Sequence, residues 1–479
     1  MKKEAIANSN NSDSGKDDYI SRSKQLLNKY RVKIGDTVKL ISNKGDYTGI
    51  IMPRYESFND DYVVIKLNSG YNIGISIENI INIASEKLSE TSVNVPSNPV
   101  SKTDEPYNGM FGLTKGINHN VKKPILSSSL PKILLLTTGG TIASKIDYRT
   151  GGVTSILNAS DLYSIFPEIS NYASIYPEFL FNEYSENLHT SHWSLLAERI
   201  SYAISHEQFD GIIVSHGTDT IHYTSSAMSF ALQNLSIPVV LVGSQRSSDR
   251  PSSDAFTNLL GAIKFITKTS YAGIVVCMHH TSSDETIACH IGTRVRKNHT
   301  SKRNAFQSLD YFPFALIYNS DIVCNNDMKM INTRNNVSKN LISKISFDDG
   351  VFLLKFYPGF DPSFLECFLN FKYRVLILEG TGLGHVNRNC FPYLEKLIDS
   401  GIVIFMTSQC IYGRVQMTVY DTGRDLLDLG VIPLSDMSSE TAVVKAMWAL
   451  SNSSNKKELV EIMRTDLSNE ISNTSPLIS

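Results

Sequence analysis

Apolar residues recur along this chain in two different rhythms. Between Val32 and Ile83 the short runs DTVKLIS, YTGIIMPRY, DYVVIKL and YNIGISI are rich in β-branched and aromatic residues, and the turn-forming NKGD, FNDD and NSG separate them. Four or five short strands in so little sequence predict a small β-barrel of the SH3 or Tudor kind over residues 31–84. From KILLL at Lys132 onward, solid apolar runs such as GIIVSH, PVVLVG, AGIVVCM, RVLILEG and GIVIFMTS alternate with helical segments. Unbroken apolar strands need cover on both faces, so this alternation predicts an α/β region built on parallel sheets. In WSLLAERISYAISH, Trp193, Leu196, Ala197, Ile200, Ala203 and Ile204 fall on one face of a 3.6-residue period, which predicts a helix laid against such a sheet.

Segments that keep neither rhythm mark the joints. Residues 1–30 read as a polar, Asn/Ser-rich tail ending in a short helix, ISRSKQLLNKY, and residues 85–130 as a linker rich in Ser, Pro, Asn and Lys. The Asn/Lys-rich stretch at about 325–343 separates two α/β lobes, expected at 131–325 and 345–479. With 479 residues the chain is long enough for several cores.

Composition narrows the function classes. Lys and Arg number 45 against 47 Asp and Glu, a net charge of -2, so no overall positive field draws in nucleic acid or a membrane surface. The six cysteines show no CxxC spacing and read as free thiols rather than a zinc site or disulfide framework. No apolar segment follows the two N-terminal lysines, and no run approaches the ~18 apolar residues of a membrane span. Both observations point to the cytoplasm.

In open parallel sheets, ligands bind beyond the carboxyl ends of the strands. Here those ends read TTGGT, SHGTDT, VGSQRSSDRPSSD, HHTSSDE, EGTGLGHVN and TSQCIYGR. One such cluster is an ordinary tight turn, but the repetition predicts a single shared polar site. Glycine admits close backbone approach and offers N–H groups to a developing oxyanion, while hydroxyls supply hydrogen bonds or a nucleophile, a combination suited to acyl transfer. Phosphate cradles fit poorly: Gly140 to Lys145 lacks the second glycine of a P-loop, and GTGLGH from Gly380 has His385 where a dinucleotide loop needs glycine. His279, His280, His290 and His299 lack zinc-like spacing, so no metal site is expected. The basic run RVRKNHTSKR is a solvated loop, an RNA patch, or the carrier of one lysine turned inward beside a carboxylate, where it would assist a hydroxyl nucleophile.

TTGGTIAS, SHGTDT, the lysine of VRKNHTSKRNAF and VYDTGRDLL stand in the order of the bacterial-type L-asparaginase/glutaminase amidohydrolases, and residues 131–479 resemble that family. The resemblance implies a two-lobed asparaginase-like fold and a catalytic set of Thr141, Thr218, Asp219 and Lys297. It also implies a substrate-binding serine, Ser185, whose neighbour is Glu186 where plain asparaginases carry an amide. Ser185, Glu186 and Asp219 would then fix the α-amino and α-carboxyl groups of the substrate, with backbone N–H groups at Gly140 and Gly217 as oxyanion donors. Thr141 is the expected nucleophile, and Thr218 is the alternative or the residue that positions water. Tyr148 or Thr150 would assist from a lid, KIDYRTGG.

The module ahead of these motifs, with MPRYES, VVIKL and GYNIGI, resembles the D-type subunits of archaeal glutamyl-tRNA(Gln) amidotransferases, as do SEN before His192-Trp193, DYRTGG and KAMWAL. That resemblance implies a glutamine hydrolase working through an acyl-enzyme. Its ammonia would pass to the E-type partner subunit of the same amidotransferase, which uses ATP and Mg2+ to convert Glu-tRNA(Gln) to Gln-tRNA(Gln). This chain would bind no cofactor itself, would meet tRNA(Gln) mainly through the partner, and would form a homodimer within a heterotetramer. A free-standing L-asparaginase and an inactive binding scaffold are the competing readings. Residues 31–84 count against the first, and the intact Thr141, Thr218, Asp219 and Lys297 against the second.

Overall fold

The computed structural model of the protein describes residues 21–52, 61–67, 72–85, 130–140, 144–146, 153–155, 167–246, 253–318, 321–325, 333–334 and 340–474. The expected tail at 1–20, nearly all of the linker and most of the join between lobes lie outside the described residues.

In the N-terminal module, β1 (Thr37–Ser42), β2 (Gly45–Ile51), β3 (Tyr62–Leu67), β4 (Asn72–Ser76) and β5 (Ile80–Ser85) form an antiparallel sheet in the order β4-β3-β2-β1-β5. Alternation along the strands sends Val38, Leu40, Ile51, Val63, Ile65, Ile75 and Ile83 into one small core, to which the helix Ser21–Lys29 adds Leu27. A single 3-10 turn, Ile77–Asn79, carries the chain from β4 to β5, which pairs with β1 at the opposite edge.

A second unit carries both α/β lobes. Its large sheet contains β6 (Lys132–Thr137), β7 (Ser174–Phe179), β8 (Gly211–Ser215), β9 (Val239–Val242), β10 (Ile274–His279), β11 (Thr286–Ile291), β12 (Ala315–Tyr318) and β13 (Asp321–Cys324), in the order β13-β12-β11-β10-β9-β8-β6-β7. The strands from β7 to β10 are parallel, as the apolar runs predict. From β10 to β13 the pairing turns antiparallel. The connection HTSSDE between β10 and β11 is too short for the crossover that a parallel return requires, so the chain folds straight back.

Both faces of the sheet are buried. Leu134, Leu136, Ile212, Val214 and Leu241 face one core, and Ile133, Leu135, Ile213, Val240 and Val242 the other. The helix Ala255–Lys268 closes the second core; the helices Thr190–His206, Ile221–Ala231 and Ser439–Asn452 close the first. Ser439–Asn452 belongs to the C-terminal lobe, whose strands Val351–Lys355, Val375–Gly380, Val403–Ser408 and Ile432–Pro433 are all parallel. Val375, Ile377 and Phe405 join the first core, so one apolar cluster runs through both lobes. Among the described residues, no helix is long and apolar enough to cross a membrane.

That shared helix also hides an ion pair. Lys445 Nζ lies 2.5 Å from Glu470 Oε1 with both side chains fully buried, and it donates to the carbonyls of Met463 and Thr465. Glu470 in turn accepts the N–H groups of Leu467 and Ser468. Replacing Lys445 by methionine is expected to lower stability by ~3–5 kcal/mol, because it strands a buried carboxylate. Urea unfolding would measure the loss. A change below ~1 kcal/mol, the value of a solvent-exposed pair, would show that water reaches the site.

Candidate active site

Sheet register levels the strand ends that carry the glycine-rich motifs. Thr137 of β6 pairs with Ser215 of β8, and Ser215 with Val242 of β9, so TTGG, SHGTDT and VGSQ leave the sheet side by side. Thr138 clamps the first two turns together, donating to the Ser215 carbonyl from its N–H at 3.3 Å and its hydroxyl at 2.7 Å. The Glu183 N–H donates to the Thr138 carbonyl at 3.2 Å, which draws in the segment carrying Ser185.

Missing side chains let these turns touch. A β-carbon on Gly140, whose φ is +82°, would stand 2.6 Å from the His216 carbonyl carbon and 2.7 Å from the Gly217 nitrogen. One on Gly217 would stand 2.7 Å from the Ser185 β-carbon. Such distances are sterically forbidden, so glycine at both positions is what allows three segments to converge. Thr220 Oγ1 then donates to the Ser185 carbonyl at 2.7 Å, fixing the 3-10 turn Ser185–Asn187, in which Ser185 is buried and Glu186 exposed.

Lys297 arrives from a different element, the short strand Val295–Lys297 paired with Phe306–Ser308. Its side chain is 9% exposed, and Nζ donates to Thr218 Oγ1 and to Asp219 Oδ1, each at 2.8 Å. Asp219 is 69% exposed, so solvent screens the ion pair and leaves it worth about 0–1 kcal/mol. The consequence is geometric: two acceptors hold Nζ against the Thr218 hydroxyl. Of the three readings of the basic run, the one with a lysine turned inward beside a carboxylate describes Lys297. Gly140, Ser185, Glu186, Gly217, Thr218, Asp219 and Lys297 gather around these turns, whereas Thr141, Tyr148 and Thr150 lie outside the described residues. Thr141 directly follows Gly140.

Beside Lys297 opens a cleft of about 400 Å³, within the size range of small-molecule sites, lined by Asp219, His222, Tyr223, His299 and Glu440 among others. Burial pushes His222 down to about 4 and Tyr223 up to about 12, the latter helped by the charge of Glu440. Both are therefore neutral near pH 7. Arg296 Nε donates to Glu440 Oε1 at 2.6 Å, Arg294 Nη1 to Asp436 Oδ2 at 3.1 Å, and Thr441 Oγ1 to the Thr293 carbonyl at 2.9 Å. The strand that carries Lys297 is thus tied to the second lobe.

Two contributors escape a reading of the sequence. His216 is buried at the end of β8 inside the SHGTDT motif, and its only signal is a polar ring continuous with an apolar strand. Glu440 gives no signal at all, because an acidic residue in the first turn of a helix is ordinary. His279 and His290 serve structure: His279 bonds Asn258 and Asp284, and His290 bonds Ser308 at 2.8 Å. Among the described residues, no group of three or more His, Cys, Asp or Glu is arranged to hold a metal ion.

Family models match three parts of the chain: the GatD N-terminal domain over residues 32–85, the asparaginase N-terminal domain over 132–330, and the glutaminase/asparaginase C-terminal domain over 350–463. The D-type subunit of glutamyl-tRNA(Gln) amidotransferase from Sulfolobus acidocaldarius is 40% identical over 453 residues, 95% of each chain. Its counterpart from Pyrococcus furiosus is 40% identical over 458 residues, covering 94% of this chain and 97% of the relative. Among solved structures, the thermostable L-asparaginase from Thermococcus kodakarensis superposes with a TM-score of 0.64 at 32% identity, covering 72% of this chain and all of that one.

Proposed function

The chain belongs to the D-type subunit family of glutamyl-tRNA(Gln) amidotransferases, whose hydrolase is of the asparaginase type, and from that premise we propose that it releases ammonia from the side-chain amide of L-glutamine and passes it to the E-type partner subunit. Ser185, Glu186 and Asp219 hold the α-amino and α-carboxyl groups. The Thr141 hydroxyl oxygen attacks the amide carbon, and backbone N–H groups at Gly140 and Gly217 receive the oxyanion. As the tetrahedral species collapses, the C–N bond breaks. The proton of the attacking hydroxyl ends on the departing nitrogen, which leaves as ammonia, and a γ-glutamyl ester remains. Thr218, whose oxygen lies against Lys297 Nζ, relays that proton. Water then cleaves the ester, restores the Thr141 hydroxyl and frees glutamate.

The observation that carries this reading is the double contact of Lys297 Nζ with Thr218 and Asp219, beside the glycine turn and the buried Ser185. The amidotransferase setting is supported by the reach of the likeness: the amidotransferase relatives align over about 95% of the chain, including residues 32–85, where the L-asparaginase covers 72%. In this reading the chain holds no cofactor, the E-type subunit uses ATP and Mg2+ to amidate Glu-tRNA(Gln), and tRNA(Gln) is met mainly through that partner. The chain forms a homodimer within a cytoplasmic heterotetramer.

Ammonia release from glutamine and from asparagine, measured for the chain alone and with the E-type subunit, ATP and Glu-tRNA(Gln), tests the proposal. Glutamine is the expected preferred substrate, with Gln-tRNA(Gln) formed in the complete mixture. Strong asparagine turnover by the chain alone, unchanged by the additions, would make it a free-standing asparaginase instead.

A further inference from the structure

We propose that His216, held as its neutral Nδ1–H tautomer by a hydrogen-bond relay from Trp193 through Thr224, is a positioning residue that aims the Thr218 N–H at the oxyanion of the hydrolytic reaction; this rests on the threonine-hydrolase reading above. The relay spans three elements. Trp193, on the helix Thr190–His206, places Nε1 3.1 Å from Thr224 Oγ1. Thr224, on the helix Ile221–Ala231, places the same oxygen 2.8 Å from His216 Nε2, and His216 Nδ1 lies 2.7 Å from the Gly217 carbonyl oxygen.

Its direction follows from the inventory of donors. A carbonyl oxygen only accepts, so Nδ1 carries the hydrogen. In the neutral ring Nε2 is then an acceptor, so Thr224 Oγ1 donates its hydrogen to His216 Nε2 while accepting from the Trp193 indole N–H. The Gly217 carbonyl sets the tautomer and Thr224 can complete it, and burial keeps the ring neutral by pushing its pKa down to about 4.

What the relay grips is a peptide plane. In a trans peptide the C=O and N–H point in opposite directions, and the described peptide bonds are all trans. Holding the Gly217 carbonyl on the imidazole therefore turns the Thr218 N–H away from the buried ring. That N–H makes no hydrogen bond to any described residue. Reversing this peptide would turn ψ of Gly217, which glycine tolerates, together with φ of Thr218, which a β-branched residue resists, and the close approach of Ser185 leaves no room for a larger residue at 217. A flipped plane would present a carbonyl lone pair where a donor is needed. The His216 hydrogen bond adds to that resistance and fixes the angle of the plane, and Thr218 offers its N–H from the residue whose hydroxyl meets Lys297.

Variants at His216 separate this role from plain packing. The asparagine amide nitrogen stands as far along its side chain as Nδ1, whereas that of glutamine lies one bond further out. His216→Gln is expected to lower kcat for glutamine roughly 100-fold, the effect of losing one oxyanion donor, with KM nearly unchanged. His216→Asn should recover most of that loss. Equal kcat in both variants, or a rise in KM in place of the fall in kcat, would overturn the proposal. Proton–nitrogen correlation NMR of the wild-type imidazole at about pH 7 should show Nδ1–H, and an Nε2–H tautomer would overturn it as well. A wild-type chain that hydrolyses no glutamine even with the E-type subunit present would overturn the parent reading, and the proposal with it, while the NMR result would still report the relay.

Discussion

Replacing Thr141 by alanine is expected to abolish glutamine hydrolysis, with kcat falling at least ~10³-fold and the melting temperature unchanged. The chain reaches Thr141 from Gly140, whose backbone lies against the His216–Gly217 peptide, one residue before Thr218. In the proposed reaction Thr141 and Thr218 are the two candidate hydroxyls, and only one of them forms the ester. Acid quenching during turnover followed by peptide mass analysis tells them apart. The γ-glutamyl adduct is expected on the peptide containing Thr141, and it should persist at a lower level in a Thr218→Val chain. An adduct on the Thr218 peptide, together with residual activity in Thr141→Ala, would reverse the two assignments and make Thr218, activated through Lys297, the nucleophile.

The parts of this molecule that are local in sequence are the parts a reader of the sequence finds. A strand buried on both faces must be apolar throughout, and KILLL, GIIVS and VVLV announce themselves for that reason. Strand direction is a different matter, because an apolar run is the same read either way. The antiparallel half of the large sheet follows only from the short HTSSDE connection. Arg199 shows the same limit on a helix: its charge suggests the solvent face, yet it is 2% exposed and grips both carboxylate oxygens of Glu178 at 2.6 Å, with Glu207 at 3.0 Å. Its principal partner sits on another element, 21 residues away. The site divides likewise. Thr218 and Asp219 are neighbours in one motif, but Lys297 lies 79 residues from Thr218, and resemblance rather than spacing links them. The Arg296–Glu440 contact spans 144 residues, and no pattern in either segment foretells it.

Replacing Lys297 by methionine is expected to lower kcat for glutamine by ~10²–10⁴-fold while KM and stability move little. Methionine keeps an unbranched apolar stem where the lysine stem is buried, so packing in the strand Val295–Lys297 is largely preserved. What vanishes is the Nζ donor shared by Thr218 and Asp219. Loss of the ion pair itself costs about 0–1 kcal/mol, since Asp219 is exposed and water takes the place of the ammonium. The hydroxyl of Thr218 has no such substitute, because developing negative charge on its oxygen needs a fixed donor at 2.8 Å rather than mobile solvent. A drop in activity that follows the melting temperature from variant to variant would make Lys297 a structural strut between the lobes. A full-strength kcat in a well-folded Lys297→Met chain would remove the Thr218–Lys297 unit from the reaction altogether.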